Sequence, residues 1–117
     1  MTEMVPWEQV RAEAIESGWV SEDAIARARV EMDAHVAGYH LAELRHKTGM
    51  TQTQVAEVMG VSQARVSAME RGDVDSLTVA SVRAYITALG GTVRIVASLD
   101  DTDVTLRLPE DPRPTAA

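Results

Sequence analysis

The residues of this chain best suited to chemistry lie between Gln52 and Arg71, in the run QTQVAEVMGVSQARVSAMER. The chemistry they suit is the reading of a nucleic acid. Gln63, Ala64, Ser67 and Ala68 share one face of a helix whose Val66 and Met69 turn inward. A glutamine amide bonds adenine through two hydrogen bonds in the major groove, and an alanine methyl makes apolar contact with the thymine methyl. Gln52 and Ser62 stand where two helices begin, the place at which side chains and backbone N–H groups meet phosphates. Arg65 and Arg71 reach flanking phosphates, with a base edge also open to Arg65. The competing reading is a helical pair that packs in a core and leaves its outer face solvated.

Spacing favours the first reading. Counting from Gln52, Ala56 is fifth and Gly60 ninth, with Val55, Met59, Val61, Val66 and Met69 as the apolar positions around them. Two helices crossing steeply need a small side chain at the crossing, and the turn between them needs a residue that accepts positive φ. Ala56 and Gly60 meet those needs. The apolar positions lock the second helix onto the first and leave its other face free for a DNA groove.

Other chemistries find no support. The chain has no cysteine, so no disulfide framework or thiolate metal site is available. His35, His40 and His46 are spaced by five and six residues, which puts no pair on one helical face, and no metal site is expected. There is no paired histidine and nucleophile, no glycine loop to cradle phosphate and no carboxylate pair in an apolar setting. An enzyme is not expected, nor a cofactor. No basic-then-apolar leader or span-length apolar run occurs, so the expected location is the cytoplasm, on the nucleoid when DNA is bound.

A net charge of −7 over 117 residues seems to oppose DNA binding, since phosphate contacts need cations. Distribution resolves the conflict. Residues 1–38 hold eight acids and three bases, residues 39–90 five of each, and residues 91–117 five acids and three bases. The middle third is neutral, with Arg45, Lys47, Arg65 and Arg71 around the groove-facing helix. The acid lies at the two ends.

These residues must be positioned by a mainly helical fold, because aromatics are scarce and the apolar palette is Val, Leu, Ile, Met and Ala. Pro6 opens and Gly18 closes a first helix over about residues 6–17, with a stripe of Val10, Ala14 and Trp7. Ser21 caps a second, with Glu22 and Asp23 at its positive end. It runs to about Thr48 as one long helix or as two meeting at Gly38, with the long helix favoured. Ile25, Met32 and Val36 form one apolar stripe, and Leu41 and Leu44 another. Thr51 and Ser62 cap the central pair, and Gly72 ends it. Leu77, Val82, Ile86 and Leu89 continue at helical spacing until Gly90-Gly91.

Beyond Gly91 the period changes to two. Residues 92–98 and 104–108 read as strands, with turn chemistry at Asp100-Asp101-Thr102-Asp103. A lone hairpin is marginal in water, and Val93, Ile95, Ala97, Leu106 and Leu108 would expose an apolar face. The same hairpin of a second chain is an economical cover, and helix-turn-helix readers work as two-fold dimers on two half-sites. The domain reading is therefore an acidic helical region at 1–37, a helix-turn-helix DNA-binding domain at 38–90, a dimerisation hairpin at 91–108 and a disordered tail at 109–117.

The run LAELRHKTGMTQTQVAEVMGVSQARVSAMERG, residues 41–72, resembles the XRE/Cro/cI family of helix-turn-helix proteins. Leu41-Ala42-Glu43-Leu44-Arg45 and the segment Thr78–Val96 resemble HigA-type antitoxins. The resemblance implies an XRE-type helical bundle and a homodimeric repressor on palindromic operator DNA with two half-sites. It also implies a small basic RelE/HigB-like toxin, an RNA-cleaving enzyme, as second partner. Gln52 then matches a phosphate- or base-contacting position and Gln63 an adenine-reading one, with Ser62, Ala64, Ser67 and Ala68 at other groove-facing positions. Ala64 and Ala68 depart from the longer polar side chains often found there. A stand-alone XRE repressor without a toxin is the alternative. For the acidic N-terminal region, a toxin-binding arm and a solvated helical face both stay open. Trp7 and Trp19 read first as packing residues, and second as partner anchors.

Overall fold

The computed structural model describes residues 6–18, 20–107 and 109. Residues 1–5, Trp19, Leu108, for which a strand was expected, and residues 110–117 lie outside the described residues. Five helices precede a hairpin: α1 (Pro6–Glu16), α2 (Glu22–Thr48), α3 (Gln52–Met59), α4 (Gln63–Glu70), α5 (Val79–Ala88), β1 (Ile95–Leu99) and β2 (Thr102–Leu106), with a short 3-10 turn at Val74–Ser76 before α5. Each junction follows from local chemistry. The side chains of Ser21, Thr51, Ser62 and Thr78 accept from the third backbone N–H of their helices, and Thr51 with Gln54 and Thr78 with Ser81 complete reciprocal capping boxes. Gly60, at φ 72°, makes the turn between α3 and α4.

The helix α2 passes residue 38 without a break. Its buried line is Ala34, Gly38, Leu41 and Arg45, so the expected stripes are only partly right. Leu41 is in the core, whereas Met32, Val36 and Leu44 are exposed. The reason is a close crossing. A Cβ on Gly38 would lie 2.6 Å from the Met69 carbonyl oxygen and 2.7 Å from that of Glu70. A Cβ on Gly72 would lie 2.6 Å from the Cα of His35, and Gly72 also holds φ +82°. Two backbones meet here with no side chain between them, so small residues line the seam and larger apolar ones face outward.

The core joins Leu41, Val55, Ala56, Met59, Val66, Met69 and Tyr85, with Val61, Leu77, Val82, Ile86 and Leu89 packed around it. The α5 stripe read from periodicity is therefore present, but its centre is Tyr85, which the periodicity reading omitted. The helix α1 behaves differently. It buries no residue, and Trp7 and Val10 are exposed. The expectation that Trp7 packs in a core is thus overturned: Trp7 is mostly exposed, and only Ala14 and Ile15 of the apolar residues of α1 are partly covered.

The strands β1 and β2 pair antiparallel, with Ile95 opposite Leu106 and Leu99 opposite Thr102. The turn is the two residues Asp100-Asp101, tighter than the four-residue turn expected. Asp100 adopts φ 52°, a conformation that Asp tolerates in two-residue hairpin turns. Ile95, Ala97, Leu99, Val104 and Leu106 share one face, of which Leu99, Val104 and Leu106 are exposed.

Candidate nucleic-acid interface

The helix α4 is held by its inner side. Val66 and Met69 are fully buried, while Gln63, Ala64 and Arg65 are exposed and Ser67 and Ala68 are half-covered. The structure therefore brings the sequence-selected residues onto one connected surface. Ser62 sits at the N-cap, its hydroxyl accepting from the Arg65 backbone N–H at 3.2 Å. At the other end, Arg71 donates through Nη1 to the Ser67 hydroxyl at 2.6 Å, which lays the guanidinium back along the helix. Ala64 is exposed and Ala68 half-covered, each presenting only a methyl group on this face.

Gln63 and Gln52 are not independent. The Gln63 side-chain N–H₂ donates to Gln52 Oε1 at 2.8 Å, and the Gln52 N–H₂ donates to Glu70 Oε1 at 3.1 Å. Glu70 in turn receives Arg45 at both oxygens, Nε to Oε2 at 2.8 Å and Nη2 to Oε1 at 2.9 Å. The Tyr85 hydroxyl sits 2.8 Å from Glu70 Oε2 and 2.9 Å from the Leu41 carbonyl oxygen, so its single proton serves one or the other. An ionised carboxylate only accepts, which fixes the polarity of the whole chain. Glu70 forces Gln52 to present its N–H₂ inward and its oxygen outward, and that oxygen forces Gln63 to donate. Gln63 is left with a free oxygen and one free N–H, the acceptor and donor needed for the edge of adenine.

The anchor of this chain is buried. The Arg45 and Glu70 side chains keep 10% and 6% of their exposure, so the pair is shielded from solvent competition. Burial pushes the Glu70 carboxyl up, but hydrogen bonds from Arg45, Gln52 and Tyr85 outweigh it and hold the group below its ordinary value. The hydrogen bond to Glu70 raises Arg45, against the opposing effect of burial. Burial first, and then the neighbouring Glu70, push the Tyr85 phenol well above its usual range. At neutral pH the site holds a carboxylate, a guanidinium and a neutral phenol.

Arg45 therefore does not belong with the groove-facing cations where sequence distribution placed it. It spends its fork on Glu70 and donates through Nη1 to the Met50 carbonyl oxygen at 3.0 Å. Lys47, Arg65 and Arg71 remain on the surface. Glu70 and Tyr85 were missed from sequence. One signal was available: Glu70 lies four residues after Val66 and one after Met69, at the edge of the buried face of α4, and a carboxylate there requires a cation.

Comparison with known proteins gives concordant results. A family model described as a helix-turn-helix domain matches residues 20–98. HigA3 of Mycobacterium tuberculosis, named as a candidate antitoxin, is 43% identical over 107 residues, covering 91% of this chain and 98% of that protein. HigA2 of the same organism, named likewise, is 39% identical over 87 residues, covering 74% of this chain and 86% of that one. A solved structure described as DNA-bound antitoxin HigA3 superposes with TM-score 0.53 at 45% identity, covering 60% of this chain and 91% of its own. A second, described as induced DNA bending by unique dimerization of HigA antitoxin, gives TM-score 0.50 at 46% identity over 58% of this chain and 91% of its own.

Proposed function

This chain belongs to the helix-turn-helix family of HigA antitoxins, and from that membership we propose that it is a DNA-binding antitoxin that represses its own operon as a homodimer and neutralises an RNA-cleaving toxin. The observation that carries the DNA reading is the free face of α4, presented by a helix whose opposite face is fully buried. In the proposed complex α4 enters the major groove of each half-site. Gln63 reads adenine with the donor and acceptor that Gln52 leaves it, Ala64 and Ala68 meet thymine methyls, and Arg65 reaches a phosphate or base edge. Gln52, Ser62, Ser67 and Arg71 fix the helix on the backbone. The neighbours described as DNA-bound and as dimerising support DNA binding and a dimer.

Dimerisation falls to the hairpin, whose Leu99, Val104 and Leu106 are left exposed by the described residues. The toxin falls to the acidic N-terminal region. An enzyme that holds RNA is basic, and α1 with the first half of α2 offers both acid and apolar anchors to it. Trp7 and Val10 on α1, and Met32, Val36 and Tyr39 on the outward face of α2, are all exposed. An exposed Trp is the residue type that most often anchors an interface.

Replacing Gln63 and Arg65 with Ala tests the division of labour. Loss of a bidentate base contact costs about 1–3 kcal/mol, roughly 5- to 150-fold in operator affinity. Loss of a phosphate cation lowers the salt slope of binding by about one. Toxin neutralisation should be unchanged. Loss of both activities together in a protein with native circular dichroism would refute the two-surface reading.

A further inference from the structure

The hairpin carries a charge pattern that its own fold leaves unused. Its register puts Arg94 and Arg107 together at the base, one step beyond the Ile95–Leu106 pair, and gathers Asp100, Asp101 and Asp103 at the tip. Facing the base, α5 presents Arg83. These three arginines, with Val93, Ile95 and Leu106, line an open cleft of about 770 Å³ between α5 and the hairpin. Among the described residues no carboxylate oxygen lies within 4.0 Å of any of the three guanidiniums. Among the described residues the Arg83 guanidinium makes one long bond, 3.5 Å, to the Pro109 carbonyl oxygen. At the opposite end Leu99 is 77% exposed and stands beside the three exposed acids. One end of the hairpin is thus a cationic socket with an apolar floor, and the other an anionic knob with an apolar side chain.

We propose that the cleft is the socket for the hairpin tip of a second copy of this chain, which presupposes the hairpin-mediated dimer proposed above. In a two-fold interface every contact of residue i with residue j is repeated as j with i. Two hairpins laid antiparallel about such an axis bring each tip to the other's base. A five-residue strand spans about 17 Å, so tip and base are far enough apart for both contacts to form at once. Asp101 and Asp103 of each tip meet Arg83, Arg94 and Arg107 of the other chain, and Leu99 seats on Val93, Ile95 and Leu106. A parallel arrangement would instead set acid on acid and arginine on arginine. The charges therefore select the orientation of the dimer, and with it the orientation of the two α4 helices.

Sedimentation equilibrium on the full chain tests this. Asp101→Lys with Asp103→Lys leaves the positive-φ Asp100 in place and puts cations at the tip. It should raise the dimer Kd by about tenfold or more, since four exposed ion pairs are lost and like charges are juxtaposed. Adding Arg83→Asp and Arg94→Asp should restore the Kd to near that of the parent, and raised salt should weaken the parent dimer. An unchanged Kd in the tip variant, or no rescue by the second pair, would overturn the socket. So would a dimer weakened by Glu110→Lys with Asp111→Lys but not by the tip variant, which would make the tail the anion in the cleft. Val104→Asp separates the two levels of the reading. A dimer lost on Val104→Asp but indifferent to the charge variants leaves the hairpin dimer standing and removes only the socket. A monomeric parent, or a dimer indifferent to Val104→Asp, removes both.

Discussion

Gly38→Ala has a sign that sequence and structure predict oppositely. In a solvated helix, replacing glycine by alanine stabilises by about 0.8–1.0 kcal/mol, because alanine loses less backbone entropy. Gly38 lies within the 27-residue helix α2, so helix propensity alone predicts a gain. The tertiary structure predicts a loss. The new Cβ would sit 2.6 Å from the Met69 oxygen, 2.7 Å from the Glu70 oxygen and 2.8 Å from the Gly72 nitrogen, where ordinary contact is 3.4–4 Å. All three atoms are backbone, so no rotamer change relieves them and α2 must move off the end of α4. Overpacking of this kind costs about 1–3 kcal/mol, and rigid backbone places it in the upper part of that range. After subtracting the propensity gain, the net loss is about 1–2 kcal/mol. For a domain of this size that lowers Tm by roughly 5–15 °C. Thermal and urea unfolding followed by far-ultraviolet circular dichroism measure it. Val36→Ala, on the outward face of the same helix, serves as the control and should not destabilise. A Gly38→Ala protein with a Tm equal to or above the parent's would refute the close crossing.

Two further predictions concern the buried ion pair. Arg45→Met leaves the Glu70 carboxylate enclosed without its guanidinium and should cost about 3 kcal/mol, the low end for a broken buried pair because Gln52 and Tyr85 still face it. Removing both charges with Arg45→Met and Glu70→Met should recover most of that loss in urea unfolding, whereas a single-variant loss under about 1 kcal/mol would mean the pair behaves like a surface bridge. Stability should also depend on acid in a defined direction. The folded carboxyl of Glu70 lies below the ordinary value of 4.5, so between the two values the unfolded chain binds more protons. Its contribution is complete above 4.5 and disappears as pH falls through the folded pKa. Urea midpoints followed downward from neutral pH should show this fall in the parent and a shallower one in Glu70→Gln; parallel curves would exclude Glu70 as the source.

Legibility differed by the range of the interaction. Helix ends were readable because capping is a contact between residues three apart: Ser21, Thr51 and Ser62 each hold a backbone N–H of their own first turn. The α3–α4 pair was readable because its demands, a small Ala56 and a positive-φ Gly60, fall within one short run. The hairpin was readable from its period of two, and its tip from Asp chemistry. What escaped were partners distant in sequence. Arg45 and Glu70 are 25 positions apart and Tyr85 another 15 beyond, and each by itself reads as a surface residue. Trp7 misled in the opposite sense, since its type suggests burial and more than half of it is exposed.

The surface proposed to read DNA divides the same way. Which residues face outward on α4 was determined by sequence alone, because Val66 and Met69 leave a helix only one way to turn. How those residues are poised was decided by tertiary structure. The Glu70 carboxylate can only accept hydrogen bonds, so once the fold sets it beside Gln52 it dictates the direction of the Gln52 amide and then of Gln63. The same holds for Gly38, a helix weakness by propensity that becomes a backbone-to-backbone crossing once Gly72 and the end of α4 lie against it. Local chemistry selects elements and faces. Only the meeting of distant segments, where backbone touches backbone and a buried charge must find its partner, decides what each residue is for.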